Sequence, residues 1–209
     1  MGERRSPRIS TRKEPKQARS NDLVTAILDA AVQVLEKEGA QRFTTARVAE
    51  RAGVSVGSLY QYFPNKAAIL FRLQSDEWRQ TTEMLCGLLS DETQAPLQRL
   101  RNLVHAFIRS ECEEARMRIA LADAAPLYRD APEARQAKAA GEGIFREFIV
   151  QALPAASDAQ RNLARELITT TLGSVGKQFS ESPRSTQEIE AFSEAMAGMF
   201  CAYLESLTP

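Results

Sequence analysis

The feature that most restricts this chain is Gly53, which sits between two short apolar-periodic stretches within residues 44–66, TTARVAERAGVSVGSLYQYFPNK. Val48, Ala49 and Ala52 recur at one-turn spacing behind Thr44 or Thr45, whose hydroxyls suit an N-cap, and predict a helix from about Thr45 to Arg51. Glycine enters the left-handed conformation without a Cβ clash, so the chain turns at Gly53. Ser55 then caps a second helix. On it Leu59 points back toward the first, while Val56, Gly57, Ser58, Tyr60, Gln61 and Tyr62 take the outer faces. A helix, a tight turn and a second helix with a small, polar outer surface is the helix-turn-helix arrangement, whose second helix enters the major groove of DNA.

Ala52, Gly53, Val54, Ser55, Gly57, Leu59, Tyr60, Tyr62, Phe63, Lys66 and Leu70 together closely resemble the DNA-binding signature of TetR-family transcriptional regulators, of the TetR/AcrR type. The resemblance covers roughly residues 21–72, and beyond them the chain is similar to the family only in length and helical character. Carried over position by position, it implies that Val56, Gly57, Ser58 and Gln61 face base edges. It implies that Tyr60 contacts a thymine methyl or a phosphate, that Tyr62 and Lys66 hold the DNA backbone, and that Thr45 contacts a phosphate. Some relatives place a base-reading side chain where this chain has Ala46; Arg47, one residue later, is expected to take up part of that role. Gln61 is the side chain best suited to bidentate recognition, through an adenine edge. Gly57 also fits a simple packing role, and Tyr60 and Phe63 also fit the core.

Charge follows the same division. Residues 1–72 hold 13 Lys or Arg against 7 Asp or Glu, a net +6, and the remainder balances it to zero overall. A positive half that coincides with the reader favours phosphate binding. Within it, residues 1–20 carry seven basic residues, interrupted by Pro7 and Pro15, with almost nothing apolar. They are expected to form a flexible arm, either a solvated tail or one that tracks phosphates or a minor groove.

The remaining segments predict helices throughout and no strand. The first runs from about Asn21 to Glu38, with Ile27, Ala31, Val34 and Leu35 on one face and Gly39 ending it. Asn65 caps a long helix to about Leu89, with Ala67, Leu70, Gln74, Trp78, Thr81, Leu85 and Leu88 inward. At about 35 Å that helix must leave the DNA-reading unit. Lys66 lies in its first turn, where an ammonium and free backbone N–H groups can grip a phosphate together. Further helices are expected over 96–113, 115–124 and 131–153. Two capping boxes, Ser157 with Gln160 and Ser185 with Glu188, open a final pair reaching about Phe179 and Leu207.

The expected fold is therefore all-α. It comprises a flexible arm (1–20), a three-helix helix-turn-helix DNA-binding unit (21–66) and a helical effector-binding and dimerisation domain (67–209). In the last helix Phe192, Met196, Met199 and Tyr203 make one stripe, and Ala191, Ala195, Gly198 and Ala202 an adjacent one. With Gly173 and Gly176 on the preceding helix they offer more apolar and small surface than one core needs, which predicts an isologous homodimer interface. TetR-like proteins dimerise through this region. Between Trp78 and Phe179 a small-molecule cavity is expected, with Trp78, Phe107, Met117, Leu121, Phe145, Phe148 and Thr170 as lining residues that also fit ordinary core. Similar regulators bind an apolar or amphipathic effector there.

Other classes find little support. Cys86, Cys112 and Cys201 lack a CxxC spacing, and the basic N-terminus lacks an export segment, so reduced thiols in the cytoplasm are expected. No apolar run approaches the roughly 18 residues of a membrane span. His105 and Cys112 share a helix face but fall short of a zinc site, and neither metal nor cofactor is expected. There is no GxSxG elbow, P-loop or GxGxxG fingerprint, and the carboxylates fall on predicted solvent faces, so no enzyme is expected. The expected function is an operator-binding dimeric repressor released by a small effector. The alternative is a DNA-binding regulator without one, controlled by a protein partner or by abundance.

Overall fold

The structure is a computed structural model that describes Ile9, residues 18–127 and residues 142–208. Among these residues it is helical with no strand: α1 (Ala18–Arg42), α2 (Thr45–Arg51), α3 (Val56–Tyr62), α4 (Lys66–Leu89), α5 (Pro96–Glu113), α6 (Ala115–Ala124), α7 (Glu142–Ala152), α8 (Asp158–Ser180) and α9 (Thr186–Ser206), with a short 3₁₀ turn, Ala125–Leu127, after α6. The chain divides into two compact units. The first holds residues 1–78 and 116–138, the second residues 79–115 and 139–209.

In the first unit, α1 buries Ile27, Ala31, Val34 and Leu35 and breaks at Gly39 (φ 74°, ψ 170°), with a further turn beyond the break. Thr44 caps α2, its side chain accepting from the Arg47 N–H at 3.3 Å. Gly53 (φ 66°) closes that helix as a Schellman turn, in which the Gly53 N–H bonds the Glu50 carbonyl at 3.2 Å and the Val54 N–H the Ala49 carbonyl at 3.0 Å. Ser55 caps α3 through the Ser58 N–H at 3.0 Å, and Asn65 caps α4 through the Ala68 N–H at 2.9 Å. Phe43, Leu59, Phe63, Ile69 and Leu70 are fully buried and form the shared core.

Four placements differ from the sequence reading. Tyr62, expected on the outer face of α3, is only 6% exposed, because it follows Leu59 by one turn and shares its inward face. Ile9, within the expected arm, is 3% exposed and joins the first unit's core, so at that residue the segment packs. The units are not the contiguous blocks 21–66 and 67–209: α6 returns to the first unit, where Ala120, Leu121 and Ala124 join the core and Arg116 Nη2 donates to the Glu36 carbonyl at 3.4 Å. Glu77, expected on a solvent face, is 5% exposed, compensated by Arg118 Nη1 at 2.9 Å and by Gln74 Nε2 at 2.8 Å.

The second unit is built on α5, whose Leu100, Leu103, Val104 and Ile108 are fully buried beneath α7, α8 and α9. Arg99 is buried at the start of α5 and donates through Nη1 to the Leu89 carbonyl at 2.7 Å and to Gln151 Oε1 at 2.8 Å, tying the end of α4 to α7. Both capping boxes form, at Ser157 and Ser185. The Ser185 backbone N–H and hydroxyl hold the Glu188 carboxyl below the usual carboxylate range. Residues 131–141 of the helix expected over 131–153 lie outside the described residues. Cys201 is buried, and Cys86 and Cys112 are half-buried free thiols.

The left-handed turn at Gly53 constrains the first unit's backbone. Gly53→Ala meets no neighbour within 4 Å among the described residues, so its penalty there is conformational. It is expected to lower unfolding free energy by about 1 kcal/mol in urea titration, with an unchanged m value.

Candidate nucleic-acid interface

The geometry of α3 follows from its buried residues. Leu59 and Tyr62 face the core, which leaves Val56, Gly57, Tyr60 and Gln61 exposed on the opposite side and Ser58 half-buried between. Ser58 Oγ is hydrogen-bonded to Ser55 Oγ at 2.8 Å. The Tyr60 hydroxyl is hydrogen-bonded to Thr45 Oγ1 at 3.1 Å, which fixes the exposed ring against the first turn of α2. A Cβ built at Gly57 would meet only Ser55 Oγ, at 3.7 Å. Packing among the described residues therefore does not require glycine there.

Basic residues stand on α2 and at the start of α4. Arg47 is exposed and ion-paired with Glu38 of α1, and its Nη1 also donates to the Arg42 carbonyl at 3.2 Å. Arg51, one turn later on α2, donates through Nε to Gln33 Oε1 at 2.7 Å. Lys66 is half-buried at the first residue of α4. The sequence reading missed Arg51, Glu38 and Gln33. The four-residue spacing of Arg47 and Arg51 was the available signal for Arg51, whereas their acceptors on α1 follow only from helix packing.

The residues expected to line an effector cavity fall in both units. Trp78, Met117 and Leu121 belong to the first, and Phe107, Phe145, Phe148 and Thr170 to the second. Phe145 and Phe148 come together edge to face, ring centroids 6.0 Å apart, inside the second core, and Phe107 packs against that core. Thr170 is instead exposed, since Ile168 and Leu172 take the inward positions of α8.

The expected interface residues also separate. Ala191, Ala195 and Ala202 are exposed on α9, and Gly198 and Gly173 have nothing within 4 Å of a built Cβ. Gly176 faces inward: a Cβ there would stand 3.0 Å from Ile108 and 3.1 Å from Phe107, so its small size serves the packing of α8 on α5. Leu163 and Leu167 on α8 and Met199 on α9 are exposed as well. On α9 Glu194 holds His105 at 3.1 Å and Arg101, and these two hydrogen bonds lower its carboxyl pKa.

Comparison with known proteins agrees with this geometry. Residues 27–73 match the family described as bacterial regulatory proteins, tetR family, and residues 95–207, more than half of the chain, match the tetracyclin repressor-like C-terminal domain. Nucleoid occlusion factor SlmA of Vibrio campbellii is 37% identical over 83 residues, 39% of this chain and 42% of that protein, so the match spans less than half of the relative's length. FadR of Bacillus subtilis, solved in complex with stearoyl-CoA, superposes with a TM-score of 0.62 at 19% identity over 87% of this chain and 97% of its own. NalD of Pseudomonas aeruginosa, the secondary repressor of the MexAB-OprM multidrug efflux pump, does so with a TM-score of 0.62 at 20% identity over 86% and 95%. The matched domains and the fold agree with the helix-turn-helix built by α2 and α3: the chain belongs to the TetR family of DNA-binding transcriptional regulators.

Proposed function

We propose that this regulator is a dimeric repressor that leaves its operator when a small apolar or amphipathic molecule binds the second unit. The observation that carries the operator reading is the outward face of α3, held open by the burial of Leu59 and Tyr62 behind it. In this reading Gln61 pairs with a base edge, Val56, Gly57 and Ser58 allow close approach, and Thr45, Tyr60 and Lys66 hold phosphates. Tyr62 supports the helix from within. Arg47 exchanges Glu38 for a phosphate. The exposed ion pair it gives up is worth only about 0–1 kcal/mol, so little opposes the exchange.

Dimerisation rests on exposed Leu163, Leu167 and Met199 together with the small surface of Gly173, Ala191, Ala195, Gly198 and Ala202. A symmetric pair of copies would cover these stripes in an isologous interface. Release by a ligand is supported by the fold shared with a secondary repressor and with FadR bound to stearoyl-CoA. Such an effector must bind the DNA-incompetent state more tightly, since equal affinity for both states shifts nothing. The matched relative named as a nucleoid occlusion factor favours a second reading, in which a protein partner or abundance controls DNA binding without an effector.

Light scattering of the full chain is expected to give about twice 23.2 kDa, and a persistent single-chain mass would sink the dimer. Genomic fragments recovered on the protein provide the operator for mobility-shift titration. Stearoyl-CoA, used as a probe, is expected to release that fragment; release by no tested acyl-CoA or apolar drug, with binding altered only by another protein, favours the second reading.

Gly57→Ala is expected to leave stability unchanged or raise it by up to about 1 kcal/mol, since helix propensity improves, yet to weaken operator binding. Equal operator affinity would remove Gly57 from the interface. Lys66→Ala should weaken binding to all sequences and flatten the salt dependence, whereas Gln61→Ala should also lose about 1–3 kcal/mol of discrimination. Competition titrations against scrambled duplex at two salt concentrations separate these outcomes.

A further inference from the structure

α7 and the first turns of α8 leave a half-open groove of about 430 Å³ between them, within the second unit and apart from the reader. Arg146, Ile149 and Val150 line it from α7, and Arg161, Asn162 and Arg165 from α8. Asp158 is the acid among the lining residues, and Arg161 Nη1 already holds it at 3.1 Å. The other two nitrogens of Arg161 are engaged as well: Nε donates to the Leu153 carbonyl at 2.9 Å and Nη2 to the Pro154 carbonyl at 2.6 Å. Arg161 therefore caps α7 and closes one end of the groove.

Two guanidinium groups remain. Arg146 is exposed, Arg165 is half-buried, and neither has an acidic partner among the described residues. Arg165 Nε is shut off from solvent and donates to nothing among those residues. That atom is out of reach of a ligand in the open groove, which leaves the Nη groups of Arg165 to hold an anion. The planar fork of arginine suits the paired oxygens of a phosphate or carboxylate. Val150 adds an apolar wall, 47% exposed, over the buried Ile149. A concave volume of this size fits a small molecule and excludes a duplex.

We propose that the groove between α7 and α8 binds a small amphipathic anion, its phosphate or carboxylate held by Arg146 and Arg165 and its apolar part laid on Val150. The site is independent of operator reading, because its readout is ligand binding itself. Hexyl phosphate, hexanoate, hexanol and inorganic phosphate, titrated by calorimetry into the full-length protein at low salt, test it. The expected result is saturable binding, one per chain, by hexyl phosphate or hexanoate, tighter than by hexanol or inorganic phosphate; whichever of the two binds better identifies the head group. Arg146→Gln and Arg165→Gln should each weaken this binding about tenfold, and Val150→Ser should remove the advantage of the hexyl chain. Arg146 is exposed, so Arg146→Gln decides the question even if Arg165→Gln fails to fold. No saturable binding at millimolar ligand, equal binding of hexanol, or wild-type affinity in Arg146→Gln would each overturn the proposal.

Discussion

The DNA-reading unit depends on the burial of Leu59. Seven residues cannot sustain a helix in water, because nucleation outweighs so few hydrogen bonds, so α3 exists through its packing. Leu59 and Phe63 are fully buried against a core that includes Phe43 and Ile69. Burying each large side chain contributes about 1.5–3 kcal/mol, enough to fix the rotation of a two-turn helix about its axis. That rotation decides which residues are available to DNA. The Thr45–Tyr60 hydrogen bond then locks the exposed side of the same helix to α2.

Much of this was legible because its causes are local. A threonine or serine cap, a glycine at the turn and a capping box each act within four residues, and Thr44, Ser55, Gly53, Ser157 and Ser185 all sit in the roles their spacing implies. The limits of α5 and α6 also agree with the sequence reading, α5 starting at Pro96 without a side-chain cap. Placements that depend on distant partners were not legible. Glu77 looks like a solvent carboxylate until Arg118 is brought beside it, and Gly176 looks free for a second copy until Phe107 and Ile108 cover it. Tyr62 is a failure of another kind: the helix pattern was read as placing it outward, although its three-residue spacing from the buried Leu59 puts it on the inward face.

The division into units changes what α4 and α6 mean. Residues 66–78 of α4 belong to the reader and residues 79–89 to the second unit, while α6 lies in the reader's core although its neighbours in sequence, α5 and α7, do not. The buried Glu77–Arg118 pair joins α4 to α6 inside the first unit. This ion pair holds α6 there by electrostatic attraction, alongside the burial of Leu121. A change that displaces α6 must therefore disturb the helix that begins with Lys66.

The outward face of α3 also limits how an operator can be discriminated. Gln61 is its one side chain able to make a bidentate base contact, and such a contact supplies about 1–3 kcal/mol. Specific sites typically stand about 4–10 kcal/mol above non-specific DNA. Two copies would bring about 2–6 kcal/mol from Gln61, still at or below the lower half of that range. The remainder has to come from groove shape, from contacts by the methyls of Val56 and the ring of Tyr60, and from the fixed separation of two half-sites. That last contribution is set not by the reader but by α8 and α9, whose exposed Leu163, Leu167 and Met199 determine where the second copy stands in the proposed dimer.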